Sequence, residues 1–168
     1  MFAFEVLEIV VIVFALSWFM KTYLIQFHLV NDQTMTPTLE KRSAVVADLF
    51  FYNHGSALKS KNLILCRDPE GDTVVRRVLA RAGDTVETRN GVTFVNTRSV
   101  YEPYLKSGYG IRTENIALLT VPENHIYLLN DNRHEREDSR TWGCIPLEQV
   151  VGRVVFCYWP WTSWGFFL

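Results

Sequence analysis

Residues 130–140, NDNRHEREDSR, hold the densest set of hydrogen-bonding side chains in the chain, between a strand-like run and the Trp142-Gly143 turn. So many groups able to bond backbone or one another point to a structured turn rather than plain solvated surface. The usual metal-ligating types are scattered. Cys66, Cys144 and Cys157 form no CxxC pair, and His28, His54, His125 and His134 lack ligand spacing, so no metal site is expected. The cysteines are also too few for a disulfide framework and read as small buried hydrophobes, with a Cys144–Cys157 bridge left open. Seventeen Lys and Arg against eighteen Asp and Glu give a formal net charge of −1. That balance argues against a nucleic-acid partner, which calls for a basic excess or stripe. No cofactor is suggested by the residue pattern.

The elements that would position these groups fall into two parts. At 168 residues and 48% apolar composition, the chain is long enough for one domain plus an appendage. Ile9 to Met20 (IVVIVFALSWFM) is free of charge, and Thr22 to Val30 continues mostly apolar after Lys21. Twelve residues fall short of the ~20 that a spanning helix needs, but Phe2–Leu7 or Tyr23–Ile25 supply the rest. Glu5 and Glu8 would then lie near one interface, Lys21 would snorkel to the other, and Trp18, Phe19 and Tyr23 would form an aromatic belt. A basic n-region and a small-residue cleavage site are both missing, so an uncleaved single-pass anchor over residues 1–28 is expected rather than a cleaved leader. The first basic residue follows the apolar run, so the positive-inside rule does not itself face the remainder outward.

Residues 29–168 are expected to form a mainly β domain. SAVVADLFFY (43–52), NLILC (62–66), TVVRRVLA (73–80), DTVETRNGVTFVN (84–96), NHIYLLN (124–130) and QVVGRVVFCYW (149–159) all read as strands. Asn90-Gly91 between two alternating runs is a strong hairpin signal. Residues 101–114 read as a long loop.

Four segments in order resemble the type I signal peptidases, membrane endopeptidases with a Ser/Lys dyad. Thr34-Met35-Thr36-Pro37-Thr38-Leu39 resembles that family's Ser-Met-x-Pro-Thr-Leu, and Arg76-Arg77-Val78 with Ala82-Gly83-Asp84 resembles its Lys-Arg-Val…Pro-Gly-Asp. Asn130-Asp131-Asn132-Arg133 with Asp138-Ser139-Arg140 resembles Gly-Asp-Asn-Arg…Ser-x-Asp-Ser-Arg. Trp142-Gly143, Ile145-Pro146 and Val151-Gly152-Arg153 resemble its terminal strands. The resemblance implies an antiparallel signal-peptidase-type β domain with one N-terminal transmembrane helix. It also implies a cell-membrane location with the β domain on the extracytoplasmic side, and a precursor's signal peptide bound extended along a strand edge. No cofactor is required by such a family.

In a Ser/Lys dyad a neutral Lys amine removes the proton of the attacking hydroxyl. The resemblance puts Thr34 at the nucleophile position and Arg76 at the base position. A guanidinium offers no accepting lone pair at neutral pH; only about one in 10⁵ or fewer is deprotonated, a penalty of ~7 kcal/mol. Thr34 keeps a hydroxyl, but its methyl stiffens χ1 and crowds attack. Asn130 replaces a Gly, Arg136 replaces a Ser that helps orient the Lys, and Lys61-Asn62 replaces a Gly-Asp. Asp131, Asn132, Arg133, Asp138, Ser139 and Arg140 remain and would brace the turn through charge-assisted hydrogen bonds. Met35 and Pro37 are expected to touch peptide or membrane.

Three functions follow as expectations. The first is an inactive, membrane-anchored accessory or chaperone-like factor in export or assembly of surface proteins such as pilins, binding the precursor polypeptide and the lipid bilayer. The second is an active peptidase with Thr34 as nucleophile. The third is a structural β domain merely tethered to the membrane.

Overall fold

A computed structural model of the chain describes residues 2–50, 58–105 and 113–167. Phe2–Phe19 forms helix α1, and Met20–Leu24 prolongs it as a π-helical turn. Apolar residues surround α1 on every side, and each side chain from Phe4 to Tyr23 is exposed, so no face is reserved for a protein core. Eighteen residues at 1.5 Å each reach about 27 Å, just under the ~30 Å of a hydrocarbon core. Among the described residues no helix is long and apolar enough to cross a membrane.

The chain then turns directly into strand β1, Ile25–Leu29. Ile25–His28, counted with the anchor in the sequence reading, belong to the β domain: β1 pairs antiparallel with β2 (Ala44–Asp48) in the register Ile25↔Asp48 to Leu29↔Ala44. Their apolar–polar alternation suits a strand, and the partner strand satisfies their backbone groups.

Further strands are β3 (Leu63–Arg67), β4 (Thr73–Arg81), β5 (Thr85–Arg89), β6 (Val92–Val95), β7 (Arg98–Ser99) and β8 (Ile116–Thr120). β9 (His125–Leu129), β10 (Ile145–Pro146), β11 (Val150–Trp159) and β12 (Gly165–Phe166) complete the order. Among the described residues they build two antiparallel sheets. One runs β1-β2-β11-β3-β4-β9-β10 with β12 on β11; the other runs β7-β6-β5-β8. The hairpin expected at Asn90-Gly91 joins β5 and β6, with φ of +53° and +79° at the two central residues, as a type I′ turn requires. β7, β8 and β12 are absent from the sequence reading because they are short or mostly exposed and so carry little alternation. Residues 51–52 of the first expected strand, residues 106–112 of the expected loop and His54 lie outside the described residues.

The central strands are buried on both faces, which explains their unbroken apolar runs. Leu63 and Leu65 of β3 join one core cluster with Val30, Leu39 and Val154, while Ile64 and Cys66 join another with Val78, Ile126 and Leu128. A third cluster of Leu79, Val86, Val121, Tyr127 and Leu129 sits where β4 and β9 meet the smaller sheet. Gly152 marks the close approach of β11 to β2, since a Cβ there would lie 2.7 Å from the Asp48 carbonyl oxygen. All three cysteines are free thiols, so the Cys144–Cys157 bridge left open by the sequence is not formed.

Candidate active site

Three segments converge on the middle of β4: the loop after β1 (residues 30–39), the turn after β9 (130–138) and the short helix Ser139–Trp142. The first two are stitched together by the Asn132 amide, which donates to the Thr34 carbonyl at 2.8 Å, and by the Asn132 side chain, which donates to the Gln33 carbonyl at 3.3 Å. Arg76 and Arg77 are adjacent on β4, so their side chains leave opposite faces of the sheet. Each meets a different acidic partner.

Arg76 lies against Thr34. Its Nη1 donates to Thr34 Oγ1 at 2.8 Å and to the Val75 carbonyl at 2.7 Å, and its Nε donates to the Glu137 carbonyl at 2.8 Å. The Thr34 hydroxyl donates in turn to Asp32 Oδ1 at 2.6 Å, while Asp32 Oδ2 lies 3.3 Å from Arg76 Nη1. The guanidinium also sits 5.2 Å from the Trp142 ring, a cation–π distance. Arg76 is 1% exposed and Thr34 2%. The two positions marked by the sequence are therefore brought together, with the hydroxyl accepting from one neighbour and donating to another.

On the opposite face Arg77 makes a two-pronged ion pair with Asp131, Nε to Oδ1 at 2.6 Å and Nη2 to Oδ2 at 2.5 Å. Thr38 donates to the same carboxylate, and the Tyr104 ring lies 3.9 Å from the guanidinium. Arg133 donates to the Asn130 carbonyl at 2.7 Å and pairs with Glu102. Asp138 caps the short helix by accepting from the Arg140 amide at 2.9 Å and holds the Arg140 guanidinium at 2.8 Å. Its other contact reaches back to β9 through the Asn130 amide at 2.9 Å, and Ser139 accepts from the Leu128 amide at 2.9 Å. Asp131, Arg133, Asp138 and Ser139 are all buried, as the charge-assisted network requires.

Met35 differs from expectation. It is fully buried, packed among Val30, Leu39, Val45 and Leu63, because the loop turns it inward beneath Thr34; it offers no surface to lipid or peptide. Pro37 is half-buried beside it. Arg136, at the orienting position, points away and pairs with Glu114 at 3.0 Å on the surface. The sequence reading missed Asp32, Glu102, Tyr104 and Trp142. Only Asp32 had a local signal: its carboxylate accepts from the Thr34 amide at 3.2 Å, an Asx turn that Asp two residues before Thr could have announced.

A cavity of about 590 Å³ opens beside Arg76, lined by Asp32, Glu137, Trp142 and His28 together with Asp68 and Asp72 of the β3–β4 turn. Its wall is strongly acidic. Burial pushes the Cys66 thiol beneath it up to about 12, with the nearby Arg76 charge opposing and Asp68 adding to the rise. Burial, then the neighbouring Glu102, also raises the Tyr104 phenol. Among the described residues no group of three or more His, Cys, Asp and Glu could hold a metal ion.

The antiparallel β domain thus sets a loop hydroxyl, Thr34, against a basic side chain, Arg76, on β4. Comparison with known proteins gives the class. The chain belongs to the family described as signal peptidase, peptidase S26, whose model matches residues 3–159. It is 24% identical over 170 residues to the probable signal peptidase I-1 of a Synechocystis, covering 96% of this chain and 85% of that one. It is 28% identical to signal peptidase I of Bacillus caldolyticus, covering 88% and 86%. Against thylakoidal processing peptidase 1 of Arabidopsis thaliana identity is 32% over 142 residues, spanning 78% of this chain and 41% of that one. The crystal structure of a signal peptidase I from Enterococcus faecalis superposes with a TM-score of 0.53 at 28% identity, covering 58% of this chain and 97% of that one.

Proposed function

We propose that this chain is a membrane-attached member of the signal peptidase family that receives precursor polypeptides without cleaving them, acting as an accessory factor in export or assembly of surface proteins such as pilins. One observation carries the reading: Arg76 donates to the Thr34 hydroxyl at 2.8 Å. The group at the base position gives a hydrogen bond where catalysis must take a proton, and it draws on one of the two lone pairs of the attacking oxygen. The intact Asp131, Arg133 and Asp138 network supports a preserved scaffold around this chemically blocked pair.

Lipid attachment rests on two surfaces. Between Glu8 and Lys21 the helical segment is almost wholly apolar, and snorkelling at Lys21 with local thinning of the bilayer would accommodate its length. Beside it, β1, β11 and the C-terminal residues expose Phe27, Trp159, Trp161, Trp164 and Phe166. Phe27 meets Tyr158 edge-on at 6.0 Å, and Trp161 stacks on Trp164 at 5.0 Å. Such an amphipathic aromatic patch suits the headgroup layer. The domain would then face the extracytoplasmic side, where exported precursors emerge.

A second reading, an active peptidase with Thr34 as nucleophile, draws on the 2.6 Å bond from Thr34 to Asp32, which offers a carboxylate as proton acceptor. The full-length protein in detergent, mixed with a signal-bearing precursor carrying a photocrosslinker, separates the two. Crosslinking without cleavage is expected. Cleavage that disappears in Thr34→Ala overturns the inactive reading, and absence of crosslinking favours a simple tether.

A further inference from the structure

Asp32 makes the blocked site a three-residue device. Its two carboxylate oxygens divide between the partners, Oδ1 on the Thr34 hydroxyl at 2.6 Å and Oδ2 toward Arg76 Nη1 at 3.3 Å. Among the described residues, the other charged or titratable groups near the guanidinium are Glu137, whose Oε2 lies 4.0 Å from Nη2, and Cys66 on β3, whose thiol feels the Arg76 charge. His28 on β1 faces Asp32 electrostatically, and Trp142 contributes only its ring. Of the two acids, Asp32 alone also touches the hydroxyl.

We propose that Asp32 is a positioning residue that closes the site to acyl transfer independently of the arginine: it fixes the Thr34 proton on a carboxylate, a strong hydrogen-bond acceptor but a weak base, and would hold any base placed at position 76 in its charged form. The inference rests on the reading of Thr34 and Arg76 as a blocked dyad and adds a third requirement to it. An opposite charge within ~4–6 Å stabilises the protonated form of an amine, lowering its neutral fraction about tenfold to a thousandfold. A carboxylate 2.6 Å from the attacking oxygen also repels the negative charge that would develop one bond away. Restoring the dyad residues alone therefore leaves the site largely silent. Activity needs Asp32 neutralised as well.

Two measurements test this. With Arg76→Lys in the full chain in detergent, NMR of the isotopically labelled introduced amine gives its titration midpoint with and without Asp32→Asn. A midpoint at least one pH unit lower after Asp32→Asn is expected; the same midpoint in both overturns the proposal. Hydrolysis of a signal-bearing precursor is then compared between Thr34→Ser/Arg76→Lys and the same pair with Asp32→Asn. The triple change is expected to cleave at least tenfold faster, with the acidic, ascending limb of its pH profile at lower pH, and equal rates with identical profiles overturn the proposal. If neither cleaves while the titration moves, the charge contact of Asp32 stands, and absence of precursor crosslinking to the triple variant shows that the peptide-binding reading fails instead. Should the Arg76→Lys background not fold, a thermal-melting cycle of Asp32→Asn against Arg76→Met decides: non-additive shifts support the charge contact, and additive shifts overturn it.

Discussion

Asp131→Ala is the sharpest probe of the scaffold. The Asp131 carboxylate is fully buried and accepts from Arg77 twice and from Thr38 once. The side chain of Arg77 is 9% exposed, so deleting the acid strands a guanidinium that water barely reaches. Its surviving polar contacts are the Lys61 carbonyl at 2.8 Å and the Thr38 hydroxyl at 3.3 Å, neither of which supplies negative charge. Removing one partner of a buried, hydrogen-bonded ion pair costs about 3–5 kcal/mol. At about 2–4 °C per kcal/mol for a chain of this size, Tm should fall by roughly 6–20 °C. The assay is thermal unfolding of the full chain in detergent, followed by far-ultraviolet circular dichroism. Glu114→Gln, which breaks the exposed Arg136–Glu114 pair, is the control and should move Tm little, since surface pairs contribute about 0–1 kcal/mol. A Tm for Asp131→Ala within the scatter of that control would refute the view that the retained charged network supports the fold.

Alkaline stability should carry the signature of Cys66. Its folded thiol is raised to about 12 from 9.0, so its contribution is whole below pH 9 and is lost as pH rises from 9 toward 12. Cys66→Ala should flatten the stability profile between pH 9 and 10, before the tyrosines join in, and an unchanged slope in urea unfolding would contradict the assignment. Gly152→Ala should destabilise by about 1–3 kcal/mol, because the added Cβ meets backbone that cannot swing aside; an unchanged denaturation midpoint would contradict the β2–β11 approach. Trp161 and Trp164 should be quenched by brominated phospholipid in reconstituted vesicles, and emission that bromination leaves untouched would remove the aromatic patch from the membrane surface.

How far the site could be read in advance differs residue by residue. The strand runs around NLILC, TVVRRVLA and NHIYLLN were legible because β-branched and aliphatic residues concentrate where both sheet faces are buried. The Asn90-Gly91 turn was legible because few residue pairs tolerate two successive positive φ angles. The 131–140 turn was legible from its residue types and Thr34 and Arg76 from the resemblance of their motifs to the signal peptidases, and the chemistry of a guanidinium, unable to take a proton, follows from its covalent structure wherever it sits. The direction of the bond that joins them was not legible: Arg76 donates to Thr34 only in the geometry made when the loop after β1 folds across the middle of β4. Met35 reads as an exposed apolar residue until that loop turns it into the core. Asp32 reads as one more polar loop residue until its two oxygens are found between a hydroxyl and a buried charge. Local rules act over a few residues along the chain. Burial, charge pairing and the direction of a hydrogen bond depend on which distant segments the sheet brings within 3 Å.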